Sequence, residues 1–145
     1  MTACSTFVLV AGLLTAGAAD TAKPPAERAD ELVRSSDSYM HHSQLKRGMT
    51  GYGLTVMAGT KVERFQARVV SVIHNYGPRQ DVILVRLADL DLEKSAVVSG
   101  MSGSPVYIND PADGTAKLIG AVAYGWSFQK EPLAGVQPIA QMLAV

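Results

Sequence analysis

The chain has 145 residues, and 13 Lys plus Arg balance 13 Asp plus Glu to a formal net charge of zero. That length predicts one domain, and the lack of any basic run excludes a nucleic-acid binder held by phosphate contacts. Hydrophobic residues make up 48% of the chain, enough for a packed core, and Val, Ile, Tyr and Phe fall in short runs between glycines and prolines. This texture predicts mostly β structure joined by tight turns.

Residues 7–19 are apolar or small throughout, and Asp20 is the first charged side chain. The run is short for a spanning helix. Ala16-Gly17-Ala18 supplies small residues ahead of a cleavage point, so residues 1–19 read as a signal peptide. Residues 1–6 contain no Lys or Arg, leaving the terminal amine as the only charge in front of it. The expectation is an exported protein that begins near Ala19 or Asp20 and has no stable membrane insertion after cleavage. Cys4, the single cysteine, falls in the removed segment. The mature chain then has no disulfide and no thiolate metal site. His41 and His42 lie in a polar stretch and His74 follows an apolar run; all three read as surface residues rather than ligands. No metal or other cofactor is expected.

Residues 20–47 form a polar lead-in. Lys23-Pro24-Pro25 breaks regular structure, and a short helix follows over 26–35. Asp30 and Arg34 share one of its faces, which reads as ordinary solvated surface. From Gly48 to the end the chain reads as a β-domain. Strands are predicted at 52–58, 65–73, 82–87, 105–109, 118–124 and 133–136. The period-two alternation of Phe65, Ala67 and Val69 slips at Val69-Val70, the mark of a bulge. Gly77-Pro78 and residues 110–114 turn the chain, and the 118–124 strand is apolar on both faces. Pro138 opens a closing helix with Ile139, Met142 and Leu143 as its buried stripe. About six short strands suit one small antiparallel barrel or sandwich and do not suffice for two barrels.

Gly100-Met101-Ser102-Gly103-Ser104-Pro105 is the segment that carries chemistry. A serine nucleophile needs a tight turn that exposes its hydroxyl, with backbone N–H groups aimed at the developing oxyanion. Glycines on both sides of Ser102 permit such a turn, and Pro105 commits the chain to an extended exit. A plain Gly/Ser/Pro loop between strands has the same composition.

The segment resembles the Gly-Asp-Ser-Gly-Gly-Pro loop of trypsin-like peptidases. A strand, a turn, the run Leu118-Ile119-Gly120-Ala121-Val122-Ala123-Tyr124-Gly125-Trp126, then Ala134-Gly135-Val136 and a closing helix follow it in a similar order. Leu92-Glu93-Lys94, Gly100-Met101-Ser102-Gly103-Ser104-Pro105-Val106 and Leu118-Ile119-Gly120-Ala121-Val122 together are more similar to the sporulation stage IV B peptidases, serine peptidase family 55. The resemblance is strongest over residues 88–125 and extends more weakly over 48–87 and 130–143. It implies an all-β fold, a small antiparallel barrel of the chymotrypsin-like kind with a short C-terminal helix. It implies Ser102 as nucleophile, an oxyanion hole from the N–H groups of Gly100 and Ser102, and a wall of the substrate cleft at Trp126, while Tyr124 beside it reads as core packing. It matches the family's upstream aspartate to Asp89, with Asp91 beside it, at a slightly shorter separation from the serine. Ser104 is the alternative nucleophile. The substrate implied is a polypeptide, and no cofactor is involved.

The family's general base is a histidine in a Gly-His-Gly type segment. The most similar segment here is Gly51-Tyr52-Gly53, and a phenol titrating near 10 is a poor base at neutral pH. Either Tyr52 replaces the base, or the base segment lies elsewhere in a longer protein, of which residues 48–145 are the nucleophile-bearing part; the second is the expectation. His74 is a further candidate base. The leading reading is an exported serine endopeptidase-like domain whose catalytic histidine is not located. The alternatives are a non-catalytic pseudo-peptidase that binds or regulates, and a structural β-domain whose loop only turns the chain.

Overall fold

In the computed structural model the chain is described over residues 23–126 and 130–144. The expected signal peptide, 1–19, lies outside the described residues. Elements run in the order α1 (Pro25–Ser35), a 3-10 turn (His42–Gln44), β1 (Thr50–Thr55), β2 (Glu63–Gly77), β3 (Gln80–Ala88), α2 (Leu92–Ser95), β4 (Pro105–Asn109), β5 (Ala116–Tyr124), β6 (Leu133–Pro138) and α3 (Ile139–Leu143). No helix among the described residues is long and apolar enough to cross a membrane.

The strands close into one barrel in the order β1-β2-β3-β6-β5-β4, every neighbour antiparallel. The all-β expectation holds, with its closing helix. Alternation decides which side chains enter. Phe65, Ala67 and Val69 of β2 and Ile83, Val85 and Leu87 of β3 are buried, while Arg64, Gln66, Arg68 and Arg86 between them are exposed. Val106 and Ile108 of β4 with Ile119 and Val122 of β5 complete the core. Gly53 faces Phe65 in the register, and a methyl group there would fall 2.1 Å from the ring. The strand is thus hollowed where the largest core side chain packs.

The slip at Val69-Val70 is a real irregularity: Val69 pairs with Val85 but Ser71 pairs with Leu84, leaving Val70 as the extra residue. This bulge lets β2 bend around the barrel and continue for 15 residues. The first strand is shorter than its composition suggests. Val56 and Met57 are exposed and belong to the turn after Thr55.

The double-sided apolarity of β5 has a simple origin. Ile119 points into the barrel, whereas Leu118 packs outside against Val33, Ile139, Ala140 and Tyr39. Helices α1 and α3 therefore cover this part of the outer surface. Pro25 at the start of α1 loses no helical hydrogen bond, and Ala29 and Val33, one turn apart, are its buried pair. Full burial of Val33 is worth about 1.5–3 kcal/mol, and Met40 in the barrel core and the backbone bonds of Ser38 and Met40 to Leu118 also attach the lead-in.

Candidate active site

Six antiparallel strands in a ring place alternate strand ends on the same rim. One rim collects the C-terminal ends of β1, β3 and β5 and the N-terminal ends of β2, β4 and β6. The Gly100–Pro105 loop and Asp89 are both on it.

The loop consists of two successive turns. Met101 N–H donates to Val98 O at 3.2 Å, and Ser104 N–H donates to Met101 O at 3.0 Å. The third residue of each turn is a glycine with positive φ, Gly100 at 97° and Gly103 at 86°, as a type II turn requires. Met101, only 1% exposed, plugs the loop into the core between them. Gly103 N–H donates to Val122 O at 2.8 Å and Val122 N–H donates to Ser104 O at 2.9 Å, so the loop is stitched to β5.

The two serines of the motif have opposite surroundings. Ser104 is buried, and its hydroxyl donates to Thr55 Oγ1 at 2.9 Å, joining the loop to the end of β1. Ser102 sits at the second position of its turn, exposed, and its hydroxyl is bonded to no described residue. The N–H groups of Met101, Gly103 and Ser104 are all engaged. Those of Gly100 and Ser102 donate to no described acceptor.

Asp89 follows the last residue of β3 and is exposed. It begins a run of three left-handed residues, Asp89, Leu90 and Asp91, with φ of 73°, 53° and 59°. Aspartate tolerates this region, but leucine is strained there by about 1–3 kcal/mol. The run is held by Glu93, whose Oε1 accepts the Asp89 N–H at 2.7 Å. That bond, followed by one from its own N–H, holds the Glu93 carboxyl below its ordinary value. No hydrogen bond joins Asp89 to Ser102. Trp126 is half-buried and meets Tyr76 edge-on at 6.4 Å. The preceding Gly125 lies against Val97, part of the approach to the Ser102 loop. Tyr124 donates its hydroxyl to Gln137 Oε1 at 3.2 Å and meets Tyr76 edge-on.

Tyr52 lies on the outer face of the barrel. Its ring stacks on Tyr107 at 5.2 Å and is covered by the Arg64 guanidinium at 3.8 Å.

The three histidines, read from sequence as scattered surface residues, are gathered into one cluster; His74 is exposed as read, and burial of His41 and His42 corrects the reading for those two. His74 at the end of β2 and His42 of the 3-10 turn share one Asp81 oxygen, with Nδ1 at 2.8 Å and Nε2 at 3.1 Å respectively. The His41 ring lies 4.1 Å from that of His42, and its Nε2 meets Asp30 Oδ1 at 3.2 Å. His41 and His42 are buried or nearly so. Burial first, and then neighbouring His41, hold the His42 imidazole below its ordinary pKa, against the pull of the Asp81 carboxylate. Burial pushes the Asp81 carboxyl up. The Asn75 N–H at 3.0 Å and the His74 ring outweigh it, and the carboxyl lies below its ordinary value. Asp81 and His74 belong to the β2–β3 hairpin, so this cluster is on the rim opposite Ser102. The structure does not bring His74 to the serine loop. Among the described residues no group of three or more His, Cys, Asp or Glu side chains is arranged to hold a metal ion.

Thr55, Met101 and Glu93 fix the site; Met101 and Glu93 stand in the segments that carry the resemblance, but the anchoring role of all three escaped the sequence reading. Thr55 left one signal: it is a polar residue on the inward phase of β1, in step with Gly51 and Gly53, where a buried hydroxyl demands a partner.

Residues 26–143 match the family model described as SpoIVB peptidase S55. No curated protein sequence matches the chain. The match spans α1, the whole barrel and α3, so the serine loop and the rim around it lie in a serine peptidase-type domain, and the chain belongs to the SpoIVB peptidase S55 family.

Proposed function

We propose that the chain is an exported serine endopeptidase-like domain in which Ser102 is the nucleophile. The observation that carries this is that an exposed Ser102 hydroxyl and the N–H groups of Gly100 and Ser102, all in one loop, have no partner among the described residues. Every other donor in the loop is engaged. A carbonyl attacked by Ser102 develops an oxyanion, and two preorganised backbone donors are what stabilises it. Ser104, buried on Thr55, is committed to structure. Asp89 is the group that orients the histidine: it is exposed on the same rim, and the strained backbone at Asp89–Asp91 fits a site where geometry is held at a cost. Trp126 lines the cleft. The substrate is a polypeptide, and residues 48–145 act as the nucleophile-bearing part of a larger catalytic unit that supplies the base. Export rests on the apolar run at 7–19 and agrees with the peptidase family.

One observation favours a second reading, a pseudo-peptidase that binds or regulates: His41, His42 and His74 all belong to the opposite rim. Fluorophosphonate labelling of the longest available reading frame separates the two. Labelling lost in Ser102→Ala and kept in Ser104→Ala supports the nucleophile. Labelling that follows Ser104 overturns the choice of serine, and no labelling with no added histidine segment leaves the binding reading. N-terminal sequencing of the exported product tests the cleavage point, and Met1 retained on a protein that stays inside the cell defeats it.

A further inference from the structure

The outer face of β1, β2 and β3 carries a feature that peptide-bond chemistry does not use. A trough of about 390 Å³ runs over residues 66–70 and 86–88, with Arg47, Thr50, Gln66, Arg68 and Arg86 on its walls and no carboxylate among its lining residues. Arg68 and Arg86 are direct cross-strand partners, an arrangement in which like charges repel and destabilise the sheet. Arg47 precedes Gly48, whose N–H donates to Val69 O, so it flanks the same stretch of β2 from the lead-in side.

The partners of these arginines are uneven. Arg86 pairs with Glu131 at the edge. Arg47 and Arg68 have no hydrogen-bond or ion-pair partner among the described residues. The other outward arginine of β2, Arg64, is held over the Tyr52 ring. Nothing in the core demands a cation at positions 47, 68 or 86, because all three side chains are exposed. A neutral residue at position 68 would relieve the repulsion. The neighbourhood therefore holds two free guanidiniums and one partly neutralised guanidinium around a concave surface, with the neutral donors of Thr50 and Gln66 between them.

We infer that this trough binds an acidic polypeptide segment through Asp or Glu carboxylates. Guanidinium forks match carboxylates in bidentate geometry. The shape selects a peptide over a small free anion. The arginines are spread over three elements instead of meeting at one point, and the trough is far larger than a single phosphate or carboxylate fills. Outward residues on neighbouring strands are about 5 Å apart, and alternate side chains of an extended peptide are about 6.5–7 Å apart. A segment laid across the strands can thus offer carboxylates to Arg47, Arg68 and Arg86 in turn. The trough is on the flank of the barrel rather than in the serine loop, so it acts as an exosite whose occupancy does not require Ser102.

Fluorescence anisotropy with a labelled hexaglutamate peptide at about 0.15 M salt is the test, with hexaglutamine as the neutral probe and inorganic phosphate as competitor. Hexaglutamate should bind and hexaglutamine should not. The double variant R47Q/R68Q should weaken binding by at least about tenfold, since each charge-assisted contact contributes on the order of a tenfold factor. The control variant K61Q/K94Q, whose lysines do not line the trough, should leave binding within about twofold, because at that salt the Debye length is about 8 Å and charges beyond it add little. A thermal melt of R47Q/R68Q should stay at or above wild type, which confirms folding and registers the relieved Arg68–Arg86 repulsion, and K61Q/K94Q should melt close to wild type, since it loses only exposed ion pairs. The inference is overturned if hexaglutamate does not bind, if the two peptides bind alike, or if the control variant weakens binding as much as R47Q/R68Q. It is also overturned if phosphate displaces the peptide at concentrations below the peptide's own Kd, which would make the trough a small-anion site.

Discussion

Ser104 donates its hydroxyl to Thr55 Oγ1 across 49 positions of sequence, and both residues are buried. The bond ties the serine loop to the end of β1. Ser104→Ala leaves the Thr55 hydroxyl without its donor in a dry place, at a cost of about 1–2 kcal/mol. Thr55→Val should cost a similar amount, and the double variant should cost less than the sum, because both remove one bond. Urea unfolding of the three variants measures the cycle. Strict additivity would show that the bond contributes nothing in solution.

Gly100 and Gly103 have open space where a Cβ would go, with no atom within 4 Å. Substitution by alanine therefore meets no clash, only the unfavourable left-handed backbone, worth about 1–2 kcal/mol per residue. Each variant should fold with that loss of stability and lose fluorophosphonate labelling out of proportion to it, since the turns set the direction of the Ser102 hydroxyl. Unchanged stability in Gly103→Ala would show that the turn adopts another form in solution.

Met101 is the loop's anchor in the core. Truncation to alanine should destabilise the barrel by about 2–5 kcal/mol through lost burial and a cavity. Met101→Leu, close in volume, should cost less than about 1.5 kcal/mol. Denaturant midpoints read both. A loss below 1 kcal/mol in Met101→Ala would mean that the loop closes over the gap.

The histidine cluster makes stability pH-dependent in a stated direction. The folded state holds the His42 imidazole below its ordinary pKa, so the unfolded chain takes up a proton more readily. Stability is then fully present above the ordinary histidine value of about 6.5 and falls as pH drops below it. The lowered Asp81 carboxyl adds a second loss as pH falls below about 4, the ordinary aspartate value. The groups facing His42 are His41, Asp81, Asp30 and His74. Urea midpoints at pH 8, 6.5 and 5 should decline in wild type and decline less in His42→Gln. Parallel curves for the two proteins would remove His42 as the cause.

How far the sequence could be read depended on the range of the interaction that decides each feature. β4 was legible residue for residue, because Pro105 starts it and the Asp-Pro-Ala-Asp-Gly turn ends it, and both are local signals. The bulge at Val70 was legible because it breaks a period. α2 was missed since four residues hold one turn and no periodicity. The histidine cluster was missed because it joins Asp30, His42, His74 and Asp81 from four elements brought together by tertiary packing. At the serine loop, composition pointed to the turn. Which serine is exposed was decided by Thr55 on a distant strand.

The strand order also bears on how the protein is made. β3 and β5 each find their second neighbour in β6, the last strand. Until residues 133–138 emerge, a growing chain has two long unpaired strand edges, one beginning at Gln80 and one at Ala116. Such edges invite pairing with other chains, and closure by strands so far apart in sequence is slow. An interval of exposure is therefore built into biosynthesis, and it favours keeping the nascent protein extended or guarded until its final strand is available.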